Sequence, residues 1–367
     1  MMHPSIGMLV LLTPAIFIYM AEQFDEISSF KSLYKGLKKA QRSVLWKDSV
    51  ASYSMNNLKN TYYLRQSLLD DTYKISEYQH FKVYEPKVRD IVATRIKDRQ
   101  FQRALCDEYL YHAMTRTFIR DNCACQRGKG VDDALDRFDC HLHRFFRKHG
   151  TDGWILKCDI HHYFAETSHD IAKEAVRKRV KDNEVYRRTA DIIDSFEGDK
   201  GIGLGSQVSQ LVELAVLDDV DHYIKERLGI RYYIRYMDDF ILIHEDKEYL
   251  KYCLKMIISR LESLGLQLNR KTNISSVRQG VAFLKWHFYL TESGKVVRRM
   301  NKHSPIKERR KLKKLRDKVL KGELPLSTIQ ESFLSWKANA NRGNSFGVIR
   351  KMTELYQSII KECTNGN

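Results

Sequence analysis

Apolar and polar positions along this chain follow two periods. From Ser29 to Leu69 apolar residues recur every three or four positions, with Leu33, Leu37, Ala40 and Val44 as the stripe, which predicts a helical opening and shows no chemistry. Between Phe81 and Val92 the pattern becomes an alternation, predicting a strand pair whose polar positions include Lys82, Lys87 and Arg89. A helix is predicted from near Val131, with Ala134, Leu135 and Phe138 inside. Trp154 to Ile160 reads as a buried strand carrying Asp159 near its end, followed by a helix for which Thr167 and Asp170 are spaced as a capping box. Gly201 to Gly229 is a glycine-rich turn running into one long helix with Val208, Leu211, Val212, Ala215 and Val220 on its apolar side. Arg231–Tyr236 and Phe240–His244 are β-rich arms around a three-residue tip of Met237, Asp238 and Asp239, the pattern of a tight hairpin. Asp246 to Leu264 predicts a helix capped by Asp246 and stopped at Gly265. Turns follow at 280–286 and 291–295, and three helices close the chain over 307–321, 326–339 and 345–363.

Composition narrows the partners. The 367 residues, 43% of them hydrophobic, suffice for a large core and two or three modules. A net charge of +17 and a pI near 9.4 favour an acidic polymer, and its spread among 20 Tyr and 16 Phe favours nucleic acid over a membrane surface. Seven cysteines without regular spacing argue against a secreted disulfide framework and for a reducing, cytoplasmic setting. Cys123, Cys125, Cys140, His141 and His143 do not have the spacing of a zinc ribbon or finger. Residues 1–21 lack Lys, Arg, Asp and Glu. The missing positive n-region disfavours a signal peptide and Pro14 interrupts a membrane anchor; the preferred account is a translation start at Met20.

The candidate chemistry is carboxylate chemistry. Adjacent Asp238 and Asp239 on a rigid turn make a plausible half of a site for a hard cation such as Mg²⁺, which takes oxygen ligands and leaves positions for substrate phosphates. Asp159, delivered by an apolar strand to a sheet rim, is a candidate for the other half. Turn and cap roles are the plain alternatives for all three. The Gln126-Arg127-Gly128-Lys129-Gly130 loop feeds a helix N-terminus that could receive a phosphate, although the second P-loop element is absent.

The string Tyr236-Met237-Asp238-Asp239 between apolar arms resembles the catalytic hairpin of reverse transcriptases, and Asp159-x-x-x-x-Phe164 resembles their first catalytic motif. The resemblance extends from about Ser29 to Tyr356 and implies an α+β right-hand polymerase: fingers over 22–150, a ferredoxin-like palm with catalytic hairpin and primer grip over 151–300, and a helical thumb over 301–367. It implies Asp159, Asp238 and Asp239 as catalytic residues and metal ligands, with the Ile160 carbonyl as a further ligand, around two Mg²⁺ ions that Mn²⁺ can replace. Arg89 and, more weakly, Lys87 would meet the phosphates of the incoming dNTP. Phe164 would exclude a 2′-hydroxyl, Lys271 would neutralise the leaving pyrophosphate, and Arg127, Lys129 and Trp286 of the Gly280–Trp286 turn would contact template or primer. The implied partners are template RNA, the RNA/DNA duplex and dNTPs.

Leu204-Gly205-Ser206-Gln207-Val208-Ser209-Gln210 departs from the Gln-Gly-x-x-x-Ser-Pro of most relatives and is similar to diversity-generating retroelement enzymes. That likeness, repeated at 335–340, implies error-prone copying opposite adenine, with Leu204, Gly205 and Gln210 around the nucleotide, and a small basic accessory protein as partner. A group II intron-like or phage-defence reverse transcriptase is the alternative, and an RNA-binding scaffold with an inactive polymerase fold is the alternative outside enzymes.

Overall fold

The computed structural model describes residues 23–84 and 88–365. The described residues divide into two compact units, each built from separate stretches: those up to Ile119, with His161–His222 and Ser259–Gln267, in the first, and Arg120–Ile160, Tyr223–Ile258 and those from Leu268 onward in the second.

In the first unit the helical opening is three helices, Phe30–Ala40, Asp48–Met55 and Asn57–Leu69. Ser29 caps the first, its Oγ accepting from the Ser32 amide at 3.2 Å. Leu33 and Leu37 are fully buried, and between them Gly36 lets this helix close on helix Ile96–Leu105. A Cβ on Gly36 would lie 2.5 Å from the Gln100 carbonyl oxygen, so the approach admits no side chain. The buried Gln100 amide ties three helices together, donating to Leu33 O at 3.2 Å and Thr61 Oγ1 at 2.9 Å while accepting from the Tyr53 hydroxyl at 2.8 Å. The strand pair is β1 (Gln79–Val83) and β2 (Arg89–Ala93), antiparallel with Val83 opposite Arg89. Asp98 is buried and accepts from the Tyr73 hydroxyl at 2.6 Å and the Ser76 amide at 3.2 Å, which pins the chain before the hairpin to the helix after it.

Two expectations in this unit are corrected. The capping box does not form: Ser168 is the cap of helix His169–Arg179, and the single proton of the buried Thr167 hydroxyl is instead shared between Tyr163 O at 2.9 Å and Glu213 Oε2 at 3.0 Å. The long helix after the glycine turn is Gln207–Val216, capped by Ser206, then a separate short segment Asp218–His222. The break comes where Asp218 turns inward to a 2.6 Å ion pair with Arg179, a long-range contact that outweighs continued helix.

The second unit is centred on a four-stranded antiparallel sheet of β3 (Trp154–Asp159), β4 (Tyr232–Tyr236), β5 (Asp239–His244) and β6 (Asn273–Ser276), in the order β4-β5-β3-β6. With helical sequence between β3 and β4 and between β5 and β6, this is a split βαβ succession. Cross-strand partners share a face, so Ile155, Ile243, Tyr232, Ile234 and Ile241 lie together under helix Val131–His149, whose Leu135, Phe138, Leu142 and Phe145 complete one core. A second sheet, β7 (Val281–Phe283), β8 (Trp286–Leu290) and β9 (Val296–Met300), is a meander whose first turn puts both Leu284 and Lys285 at positive φ, 48° and 72°. Helices His303–Leu320, Ser327–Ala340 and Phe346–Asn365 have their own core around Leu312, Phe333, Trp336 and Met352, with the Phe333 and Tyr356 rings stacked at 4.1 Å.

No helix among the described residues is long and apolar enough to cross a membrane. The N-terminal segment 1–21 lies outside the described residues.

Candidate active site

The same sheet face that is apolar under helix Val131–His149 becomes charged at its rim. Residues two apart on a strand share a face, so Ile155, Lys157 and Asp159 form one column of β3. Register places Asp159 opposite Asp239, and Asp239 opposite Tyr236. The hairpin therefore has a two-residue tip, Met237 and Asp238, and Asp239 belongs to the strand, which corrects the predicted three-residue tip. Met237 takes the left-handed conformation the turn requires, with φ of 57°.

Backbone contacts hold strand end and tip together. The Ile160 amide donates to Asp238 O at 3.2 Å, and the Asn269 amide donates to Asp159 O at 2.6 Å. Beneath the tip the buried Arg235 guanidinium donates to Met237 O at 3.0 Å. The Arg235 backbone pairs with the 121–123 segment, its amide donating to Asp121 O at 3.0 Å while the Cys123 amide donates to Arg235 O at 2.9 Å. Asp121 is in turn held by His141 Nε2 and Lys225 Nζ, each at 3.1 Å. Burial works against that carboxylate, but the His141 and Lys225 contacts hold it down at about 2.

Lys157, which sequence reading passed over, donates from Nζ to Asp239 Oδ2 at 3.1 Å and to Ala282 O at 2.7 Å. Its two-residue spacing from Asp159 was the available signal. Burial pushes the Asp239 carboxyl up to about 7; Lys157 pulls down, and the charges of Asp159 and Asp238 push it up further. Asp159 and Asp238 thus each stand within electrostatic reach of Asp239. Asp239 Oδ1 is buried without a hydrogen-bond partner.

Among the described residues no three His, Cys, Asp or Glu side chains form a ready-made metal cage. Mg²⁺ does not require one, because it is held by one or two carboxylates with waters and substrate phosphates completing the shell. The orphaned Asp239 oxygen and the facing Asp159 are a donor set that fits such an ion.

Lys271 is exposed just before β6, its amide donating to Asn269 Oδ1 at 3.1 Å. Arg127 is exposed, whereas Lys129 folds back onto Arg120 O at 3.2 Å and Asn122 O at 2.7 Å, closing its own loop. Trp286 is only 3% exposed, and its ring meets Gly343, where a Cβ would come within 2.3 Å. The structure places that tryptophan in the core, leaving the Leu284-Lys285 turn before it as the accessible part.

In the first unit, Phe164 and Leu204 line one cleft of about 670 Å³, with Tyr78, Val92, Phe196 and Ile202 among its walls. The Ile202 amide donates to Phe164 O at 2.8 Å, so the glycine-rich turn is hydrogen-bonded to the residue it faces. A Cβ on Gly205 would stand 2.7 Å from Val92 O of β2, so this glycine is required by contact with the hairpin strand. Ser206 Oγ caps the following helix and donates to Gln102 Oε1 at 2.9 Å, joining the glycine-rich turn to helix Ile96–Leu105. Gln210 is half-buried in the first turn of that helix. Arg89 opens β2 and is described in its backbone only, and Lys87 lies outside the described residues.

The reverse transcriptase (RNA-dependent DNA polymerase) family model matches residues 82–288, which is more than half of the chain and contains both aspartate motifs, the hairpin and the glycine-rich turn. The chain belongs to this family, a class of nucleotidyltransferases with a right-hand polymerase fold. No curated protein matches the chain. Among solved structures it is similar to apo telomerase from Candida tropicalis truncated from the C-terminal domain, at 14% identity and a TM-score of 0.48, over 61% of this chain and 55% of that one. Telomerase from Candida albicans in complex with a fragment of telomeric RNA gives 13% and 0.48 over 78% and 55%, and apo Candida tropicalis telomerase gives 14% and 0.47 over 80% and 63%. The chain thus spans between about half and two thirds of the length of those telomerases, and the family assignment rests on the family match.

Proposed function

We propose that the protein is an RNA-directed DNA polymerase that copies a template RNA into cDNA, working through the rim of the four-stranded sheet. The observation that carries this reading is the register of β3 against β5, which sets Asp159 opposite Asp239 with Asp238 in the adjoining turn. Fingers, palm and thumb are assigned to 22–150, 151–300 and 301–367. Bound divalent ions, two Mg²⁺ in this reading, would lower the pKa of the primer 3′-hydroxyl and neutralise the triphosphate and departing pyrophosphate.

The residues supply the rest. Asp159 and Asp238, with the Ile160 carbonyl, present oxygen ligands. Asp239, anchored by Lys157, fixes the hairpin tip and offers its remaining oxygen to the same site. Arg89 grips the triphosphate and Lys271 balances charge on the leaving group. The Phe164 ring leaves no room for a 2′-hydroxyl and so selects deoxynucleotides. Leu204, Gly205 and Gln210 shape the pocket around the new pair. An apolar Leu204 where a glutamine would hydrogen-bond relaxes discrimination, in keeping with a diversity-generating retroelement enzyme that errs opposite adenine.

Primer extension on an RNA template with Mg²⁺ tests the activity: the parent protein extends, and chelation abolishes extension. Sequencing the cDNA tests the subtype. Leu204→Gln is expected to lower misincorporation opposite adenine several-fold, and an unchanged error spectrum would remove the subtype while leaving the polymerase.

A further inference from the structure

The three N-terminal helices show no chemistry as sequence, yet their outer surface is unlike an ordinary solvated one. Trp46 is 77% exposed, Tyr62 52% and Tyr63 58%, and Leu45, Met55, Leu58 and Leu69 are exposed as well. Exposed apolar residues scattered singly need no explanation, but seven between Leu45 and Leu69 form a concentration that does. Leu58, Tyr62, Arg65 and Leu69 recur at three- and four-residue spacing, which puts them on one stripe of helix Asn57–Leu69.

The charge of the same segment says what covers it. From Phe30 to Leu69 there are eight lysines and arginines against a single acid, Asp48. Several of those cations stand over aromatic rings: Lys38 Nζ lies 5.0 Å from the Tyr34 ring centroid, Lys47 5.4 Å from that of Trp46, and Lys59 5.9 Å from that of Tyr63. Lys39 is paired with Asp107 at 2.8 Å, but the excess of cations around the exposed rings would repel a second copy of this basic chain. A single-stranded nucleic acid satisfies both features, its phosphates pairing with the cations and its unpaired bases stacking on the rings.

We propose that the outer face of residues 34–69 is a second nucleic-acid site, which binds single-stranded RNA by base stacking on Trp46, Tyr62 and Tyr63 flanked by Lys47, Lys59 and Arg65. This rests on the polymerase reading only in that the RNA it holds is the unpaired part of the template.

The test uses the full chain, a labelled single-stranded RNA of mixed sequence, the same sequence as DNA, and a blunt RNA/DNA duplex. The triple variant Trp46→Ala, Tyr62→Ala, Tyr63→Ala is expected to lose about tenfold or more in affinity for the single-stranded RNA, with duplex affinity and extension on a short template unchanged. Lys59→Glu with Arg65→Glu should weaken the same binding and flatten its salt dependence. Single-stranded RNA affinity that survives both variants would overturn the proposal. So would a triple variant that alters self-association in sedimentation and leaves RNA binding intact, or tighter binding of the DNA than of the RNA by the parent. A parent protein that fails to extend any primer would overturn the polymerase reading instead, with the binding arm still readable.

Discussion

The rim of the four-stranded sheet and the glycine-rich turn of the first unit both carry candidate site residues, but they are built on opposite principles. At the rim, position is set by backbone pairing: the β3–β5 register and the amides of Ile160 and Asn269 place Asp159 and Asp238 independently of what their carboxylates do. At the turn, position is set by close contact: Gly205 rests on Val92 O and Gly203 on the Phe196 ring, with no space for a Cβ at either. Side chains at the rim can change chemistry without changing the fold. Residues at the turn cannot change without moving the wall of the cleft that holds Phe164 and Leu204.

The largest expected effect separates the two directly. Asp159→Asn and Asp238→Asn should each lower single-turnover extension by about a thousandfold with melting temperature nearly unchanged, and the double variant should lose little more than either single one. Loss of melting temperature in step with activity would erase the distinction. Lys157→Met keeps the length of the side chain but releases Asp239 from Ala282. The expected outcome is a fall in kcat of roughly ten- to a hundredfold, the tip being ordered less well while substrate KM moves little.

Gly205→Ala should act through position. The new Cβ must push Val92 away, so KM for dNTP is expected to rise about tenfold with a stability loss on the order of 1 kcal/mol. Kinetics unchanged by Gly205→Ala would show that the turn is looser than its contacts imply.

The smallest effect on activity is expected from support behind the rim, where the change is one of stability. Asp121 is held at about 2 in the folded protein against an ordinary value of 3.8. A depressed carboxyl contributes stability that is fully present above the unfolded value and lost as pH falls through the folded one, here between about pH 4 and pH 2. Asp121→Asn is expected to cost on the order of 2 kcal/mol at pH 7 and to remove this part of the acid dependence, as read from urea unfolding at a series of pH values.

Much of this was legible in the chain because it is local. The hairpin pattern, the apolar strand before Asp159, the Asp246 cap and the helices after residue 303 depend on neighbours a few positions away. The cap is an example, with Asp246 Oδ1 accepting from the Glu248 and Tyr249 amides at 2.8 and 3.2 Å. What was not legible depends on distant partners. Lys157 finds Ala282 across 125 positions, and Thr167 leaves its capping role for Glu213 across 46. Trp286 loses its surface to Gly343, and the extra ladder pair that draws Asp239 into β5 is set by Asp159 on another strand. Local pattern names such residues, and tertiary contact decides what each side chain does.

The proposed polymerase chemistry requires the carboxylates of one sheet rim to form a single divalent-ion site. Electron paramagnetic resonance of Mn²⁺ titrated into the full chain with an RNA template, a chain-terminated primer and dNTP measures it without turnover. Ions are expected to be bound by the parent protein and lost in Asp159→Asn and in Asp238→Asn. Equal Mn²⁺ binding by the parent and both variants would contradict that chemistry.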